Sequence, residues 1–166
     1  MIFVTVGTHE QPFNRLVKAM DMFAKTHPDT NVFIQTGYST YEPKFARYEK
    51  FISPSKMNEY TSKSNIIISH GGPSSFMKAV ELGKVPIVVP REATYNEHVN
   101  NHQVTFTKEI NSKYNNLLIV TDISTLPEII EKFGALTETK NKKVNGHNAE
   151  FNQLFESEVN KILEKG

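Results

Sequence analysis

The sequence lacks cysteine, a strong net charge and any long apolar run. None of its 166 residues is cysteine, which excludes disulfides, thiolate nucleophiles and cysteine-based metal sites. Nineteen basic residues balance eighteen acidic ones, for a formal net charge of +1. A global attraction to nucleic acid is therefore excluded, and any bound anion must meet a local site. No segment approaches the ~20 apolar residues that span a bilayer, and the apolar start is too short for a signal peptide. We therefore expect a soluble, cytoplasmic protein.

The strongest functional signal lies in residues 65–90, which read as strand, glycine turn, helix, turn and strand. β-Branched residues predict that both strands are buried in a parallel sheet. Gly71 and Gly72 allow a sharp turn, and Pro73 suits the first position of a helix. Gly83 can end that helix in a left-handed conformation.

The glycine turn of this unit is predicted to lie at the carboxyl edge of the sheet. Free N–H groups at the start of the following helix would point away from the sheet there, and such groups bind phosphate oxygens. The spacing is neither a P-loop nor a dinucleotide fingerprint. A tight strand-to-helix turn without a ligand is therefore an equal alternative.

Strand and helix patterns alternate along the rest of the chain. Apolar runs predict strands at residues 2–6, 31–35, 51–52 and 117–120. Helical spacing predicts helices that begin at Pro12 and Pro54, a helix from His98 to about Ile110, and one that ends at Gly134. This alternation indicates an α/β fold, a Rossmann-like parallel sheet with helices on both faces.

We expect one domain over residues 1–136, since a chain of this length buries roughly 70% of its unfolded surface in a single core. A polar, lysine-containing segment over 137–147 is predicted to be an exposed linker. An amphipathic helix is predicted over 148–166. Its apolar stripe either packs on its own sheet or docks onto another chain.

Several motifs together resemble the C-terminal domain of the family 28 glycosyltransferases. They are Gly-Thr after the first strand, Ser-His-Gly-Gly-Pro-Ser-Ser at the central turn, Val-Pro-Ile-Val-Val-Pro-Arg after it, and Glu-His-Val-Asn-Asn-His-Gln. The sequence is similar in particular to free-standing catalytic subunits of split enzymes. These include bacterial capsule and exopolysaccharide glycosyltransferases and the eukaryotic subunit that adds the second N-acetylglucosamine to dolichol. The resemblance covers about residues 1–120.

This resemblance implies the donor-binding half of a GT-B enzyme. The implied reaction is inverting transfer of a hexose from a UDP-sugar to a lipid-linked acceptor, with no metal or other cofactor. A chain with only this half is expected to need a membrane-anchored subunit that supplies the other half and holds the complex at the inner membrane face. The terminal helix would then dock on that partner; a homodimer is the alternative when the chain is alone.

The resemblance also implies donor-binding residues. They are Gly7, Thr8, His70, Gly71, Gly72, Ser74, Ser75, Lys78, Glu97, Asn101, His102 and Gln103. The Gly7-Thr8 turn would approach the phosphates, and a protonated or donating His70 would stabilise the UDP leaving group. His102 and Gln103 would contact sugar hydroxyls, with Asn101 beside them. Alternatively, His70 has a purely structural role at the end of its strand.

Lys78 departs from the family pattern, because relatives usually have a glutamate there that binds the ribose hydroxyls. Lysine cannot accept those hydrogen bonds. Uridine selectivity is therefore open, and Lys78 could instead contact a phosphate or a sugar carboxylate. This departure favours the alternative function, a non-catalytic subunit that binds a nucleotide sugar.

His9 and Glu10 are the candidate catalytic residues, since an imidazole and a carboxylate in one loop can deprotonate an acceptor hydroxyl. The alternatives are that they cap the loop and that the partner supplies the base. His98 and His102 have metal-ligand spacing but no evident third ligand. Arg91 would face the phosphates, the partner or solvent. A hydrolase is disfavoured, because no Gly-x-Ser-x-Gly motif occurs.

Overall fold

The computed structural model describes residues 1–140 and, further on, Gln153, Glu156, Ser157, Asn160 and Lys161. Its sheet contains six parallel strands in the order β3-β2-β1-β4-β5-β6. The strands are β1 (Ile2–Thr5), β2 (Val32–Gln35), β3 (Arg47–Glu49), β4 (Ile66–His70), β5 (Ile87–Val89) and β6 (Leu118–Ile119). This is the strand order of Rossmann folds, and it confirms the predicted fold class.

Helices cover both faces of the sheet. They are α1 (Asn14–Thr26), α2 (Pro54–Lys63), α3 (Pro73–Glu81), α4 (His102–Tyr114), α5 (Leu126–Glu131) and α6 (Phe133–Thr137), with short 3-10 turns at Ala93–Tyr95 and Ile123–Thr125. Neighbouring strand residues point to opposite faces, so Val4 packs with α1 and α5 while Phe3 packs with α2 and α3. Val88 packs with α3 and α4 on that second face.

The central unit forms as predicted, with β4, a glycine turn, α3 and β5 in succession. Pro73 occupies the start of α3, and Gly83 adopts a positive φ of 74° after its end. Helices α1 and α2 also confirm the predictions from Pro12 and Pro54, with α1 beginning two residues later than Pro12.

The predicted strand at residues 51–52 is wrong, because β3 lies earlier, at Arg47–Glu49. The carboxylate of Asp21 accepts the backbone N–H groups of Lys44, Phe45 and Ala46 at 2.8–3.0 Å. These contacts fix the chain just before β3 and set where the strand begins.

Two helix boundaries also differ from prediction. Helix α4 begins at His102 rather than His98, because Asn96 is left-handed and the Asn100 side chain accepts the His102 N–H at 3.0 Å. Gly134 lies inside α6 rather than ending a helix. His98 and His102 therefore do not share a helix.

The predicted linker over 137–147 begins inside the described range, where Thr137 ends α6. Its residues 141–147, and most of the predicted terminal helix over 148–166, lie outside the described residues. Within the part of the chain that the structure describes, no helix has the length and apolar character needed to cross a membrane.

Candidate active site

A cleft of about 490 Å³ opens at the carboxyl edge of the sheet. It lies between the loop after β1, the turn after β4 and the segment that follows β3. Its lining residues are Gly7, Thr8, His9, Gln35, Phe51, Ile52, Met57, His70, Ser74 and Ser75. Hydroxyl groups line one side and apolar side chains line the other, so the cleft suits a ligand with a polar and a flat apolar part.

The imidazole ring of His70 lies at the centre of this edge, between Gly7 and Gly72. A Cβ atom on Gly7 would lie 2.3 Å from Nε2 of the ring, and one on Gly72 would lie 2.2 Å from its Cε1 atom. Gly7 also has a φ of +78°, which glycine adopts without strain. Both glycines are thus required by the close approach of the His70 ring, which joins the two turns.

The hydrogen bonds of His70 determine which ring nitrogen is protonated. Nδ1 lies 3.0 Å from the Gly72 N–H and must accept its hydrogen bond, so the neutral ring carries its hydrogen on Nε2. Nε2 lies 2.6 Å from Oγ of Ser75 and donates to it.

Of the two predicted forms of His70, protonated or donating, the structure favours the neutral, donating one. Burial, reinforced by the positive charge of Arg91, lowers the pKa of His70 to about 3. The ring is therefore neutral at physiological pH, and its one hydrogen is already donated to Ser75.

The side chain of Gln103 is held in place by two backbone N–H groups. Its Oε1 atom accepts the N–H groups of Gly71 and Arg91, both at 3.0 Å. Its amide nitrogen lies 3.3 Å from Nδ1 of His70. Because both acceptor sites of its oxygen are occupied, this arrangement does not present Gln103 to sugar hydroxyls as an acceptor.

Arg91 is fully buried, which corrects the expectation that it faces phosphates, a partner or solvent. Its guanidinium donates to the carbonyl oxygens of Val6 and Gln11 at 2.7 Å and of Glu97 at 3.0 Å. Burial lowers the pKa of Arg91 to about 10, although Glu97 opposes the shift. Arg91 remains charged at neutral pH and ties the loop after β1 to the loop after β5.

Glu97 is also buried, and its carboxylate is occupied. Its two oxygens accept hydrogen bonds from Arg15 at 2.9 and 3.0 Å, and one of them accepts the Glu92 N–H at 3.0 Å. The Arg15 guanidinium stacks over the ring of Tyr95 at 4.5 Å. Glu97 therefore holds the loop after β5 and does not line the cleft.

His9 lies in the cleft, but its neighbour Glu10 is exposed and outside the lining. The rings of His9 and His98 stack with centroids 4.6 Å apart. Nε2 of His9 also lies 2.9 Å from Oε1 of Gln11. Burial and the neighbouring His9 lower the pKa of His98, which favours the neutral form of the His98 ring.

A second groove of about 230 Å³ lies on the other side of the glycine turn. Its lining residues are Gly71, Gly72, Pro73, His98, His102, Gln103 and Phe106. His102 is exposed there, in reach of a ligand. Among the described residues, no three side chains of His, Asp or Glu lie close enough to hold a metal ion.

Two other predicted residues lie outside both cavities. Lys78 is partly exposed on α3, with its Nζ atom 4.0 Å from the Glu81 carboxylate. Asn101 accepts the Ala93 N–H at 2.9 Å through its side-chain oxygen and so supports the loop.

Sequence patterns did not indicate the apolar wall of the cleft or one polar residue at its base. Phe51, Ile52 and Met57 form that wall; the first two are the residues for which the apolar pattern predicts a strand. Gln35 accepts from the Thr5 hydroxyl at 2.6 Å and from the Gly7 N–H at 3.1 Å. A glutamine at the end of an otherwise apolar strand was the available signal.

One of the similar solved structures supports the fold. The crystal structure of the glycotransferase of kitacinnamycin superposes with a TM-score of 0.52 at 15% identity, over 97% of this chain and 39% of that one. The glycosyltransferase SnogD from Streptomyces nogalater gives a TM-score of 0.49 at 15% identity, over 85% of this chain and 40% of that one. The chain thus spans about two fifths of either enzyme.

No curated protein matches the sequence. The family model described as the glycosyltransferase family 28 C-terminal domain matches residues 1–161. That match covers nearly the whole chain and agrees with the parallel sheet and its glycine turns. The chain therefore belongs to glycosyltransferase family 28, as a C-terminal-type domain with the Rossmann-like fold of GT-B enzymes.

Proposed function

We propose that the chain binds a UDP-sugar in the cleft beside His70 and transfers its hexose with inversion. One observation carries the proposal: two glycine turns, joined by the His70 ring, open onto a single cleft with hydroxyl groups on one side and apolar side chains on the other. Membership of the family supports sugar transfer. The UDP donor and its hexose are the parts that the proposal adds.

The polar side of the cleft fits the diphosphate. Helix α3 begins there, and Pro73 has no N–H of its own, so the Ser74 N–H is the first one of the helix that can reach a ligand. The hydroxyls of Ser74, Ser75 and Thr8 lie beside it. The positive end of the helix dipole stabilises an anion at this position.

The apolar side fits the nucleobase. Phe51 is about half exposed and, with Ile52 and Met57, offers a surface on which a flat ring can pack. The ribose would then lie between base and phosphates, close to the start of α3. Lys78 lies one helical turn beyond Ser74 and so close to the proposed position of the ribose. Lys78→Glu therefore tests the ribose contact.

In the proposed reaction the acceptor hydroxyl attacks the anomeric carbon from the side opposite UDP. The C–O bond to UDP breaks, and the start of α3 stabilises the charge that develops on the diphosphate. His9 lies in the cleft and can take the hydroxyl proton in its neutral form; a partner residue is the alternative base. The proposal requires no metal.

The acceptor and the partner are further parts of the proposal. The chain spans 39% of the similar glycotransferase, and the proposal assigns the other GT-B half to a second, membrane-anchored subunit. That subunit would bring a lipid-linked acceptor to the cytoplasmic membrane face, as capsule or exopolysaccharide synthesis needs.

Calorimetric titration of the isolated chain with UDP tests the donor part, with GDP and ADP as controls. We expect UDP to bind more tightly than either control, and Lys78→Glu to strengthen UDP binding. Equal binding of the three nucleotides would reject the UDP assignment. Donor turnover by the chain and its partner, which His9→Gln should slow, distinguishes the transferase from a non-catalytic binding subunit.

A further inference from the structure

A directed series of hydrogen bonds runs from the backbone after β5 to the cleft. Gln103 accepts the N–H groups of Gly71 and Arg91 through its oxygen, so its amide nitrogen must face the other way. That nitrogen lies 3.3 Å from Nδ1 of His70, and the Gly72 N–H lies 3.0 Å from the same atom. Backbone N–H groups cannot act as acceptors, so they fix the amide of Gln103 and the protonation of the His70 ring together.

The series continues to Ser75. Nε2–H of His70 donates to Oγ of Ser75 over 2.6 Å. A hydroxyl that accepts this bond has its own hydrogen available for another acceptor. Ser75 lines the cleft, and within the described residues no second partner of its hydroxyl is found. Its hydrogen is therefore free to point towards a ligand.

We propose that His70 is a positioning residue, which acts through Ser75 by holding the serine hydroxyl as a hydrogen-bond donor to the donor diphosphate. The identity of that ligand rests on the proposed function. Gln103 is a second positioning residue, because its amide nitrogen contacts Nδ1 of His70 and holds the ring in place. A hydroxyl fixed as a donor suits phosphate oxygens, which only accept, and needs no reorientation when the anion arrives.

This arrangement differs from direct contact between His70 and the phosphates. The ring is buried between Gly7 and Gly72, and both of its nitrogens already have partners. Direct contact would require the ring to leave this position and to break its bond to Ser75. The two arrangements therefore predict different partners for the Nε2 hydrogen of His70 when UDP is bound: Oγ of Ser75 in the first and a phosphate oxygen in the second.

Nitrogen-15 NMR of the histidine rings tests the orientation in the free protein. With His70 assigned through its backbone, we expect hydrogen on Nε2 and none on Nδ1, and a shift of the Nε2 signal in Ser75→Ala. The same pattern should persist when UDP saturates the protein. Hydrogen on Nδ1 in the free protein, or on both nitrogens with UDP, would overturn the proposal.

A double-mutant cycle on UDP affinity tests the route through Ser75. Ser75→Ala should weaken UDP binding roughly 10- to 100-fold, as expected for a hydrogen bond to a charged group. If His70 acts through Ser75, adding His70→Gln to Ser75→Ala should weaken binding little further. Losses that multiply would mean independent contacts and would overturn the proposal.

His27→Gln is the matched control, because His27 lies at the end of α1, paired with Glu131 and outside the cleft. Its UDP affinity should equal that of the wild type. Thermal unfolding of each variant separates loss of the fold from loss of the contact. Failure of the wild type to bind UDP would refute the proposed function, whereas hydrogen on Nδ1 would refute the orientation alone.

Discussion

Gly72→Ala tests how closely the His70 ring fits between the two glycine turns. The backbone of Gly72 has a φ of −73°, which alanine adopts readily, so backbone strain makes no contribution. The added Cβ would lie 2.2 Å from Cε1 and 3.0 Å from Nδ1 of His70. No real carbon contact is that short, so the ring has to move.

The energetic cost of Gly72→Ala follows from what holds the ring. Forcing a methyl group into a packed site costs about 1–3 kcal/mol. Displacing the ring also breaks its bond to Ser75, a loss of about 1 kcal/mol. We therefore expect the free energy of unfolding to fall by about 2–4 kcal/mol. UDP affinity should fall roughly tenfold, since the Ser75 hydroxyl is no longer held in place.

Urea unfolding and UDP calorimetry measure both effects, and Gly134→Ala is the matched control. Gly134 lies within α6, and a Cβ there would have nothing within 4 Å. Alanine should therefore stabilise this helix by roughly 0.5–1 kcal/mol without changing UDP affinity. A Gly72→Ala protein as stable as the wild type, with unchanged UDP affinity, would refute the argument from close packing.

Three further substitutions test the loops that support the site. Burial opposes ionisation of Asp21, but backbone N–H groups and the Tyr41 hydroxyl outweigh it and lower the pKa; Asp21→Asn should cost about 2–4 kcal/mol at neutral pH. Because that pKa is lowered, the difference from wild type should shrink as the pH falls below about 4 in urea unfolding. Arg91→Lys should cost about 2–4 kcal/mol, measured likewise, since one ammonium cannot replace its three carbonyl contacts. Lys84→Met should lower the thermal midpoint, because it removes the donor to the carbonyl groups of Thr61, Ser62 and Ser64. An unchanged midpoint would show that these three contacts contribute no stability.

The central unit could be predicted because its signals are local. The β-branched run, the glycine pair and Pro73 each restrict the backbone within a few residues, and together they place β4, the turn and α3. The start of β3 could not be predicted in this way. It depends on Asp21, whose carboxylate binds backbone groups 23 to 25 residues further along the chain.

The site shows the same division between local and long-range information. The sequence motifs identified the loops at the cleft, and the Ser-His-Gly-Gly-Pro-Ser-Ser motif identified His70 as the residue at their centre. It did not identify which atoms face a ligand, because that depends on hydrogen bonds between residues far apart in sequence, such as Gln103 with Gly71. Arg91 and Glu97 looked like ligand contacts for the same reason. Their burial depends on partners far away in the sequence: the Val6 carbonyl group accepts from Arg91, and the Arg15 guanidinium donates to Glu97.

The polar residues behind the cleft, Arg91, Gln103 and His70, support the turns around it. A buried polar group is costly unless it is hydrogen-bonded. Here backbone carbonyl groups accept hydrogen bonds from the terminal nitrogens of Arg91, while Gln103 and the Gly72 N–H group meet Nδ1 of His70. Exchange of any one of them disturbs the direction of the donors that follow it. The polar residues at the cleft surface, Ser74, Ser75 and Thr8, are then the ones left to contact a ligand, and the histidine of the motif determines how Ser75 does so.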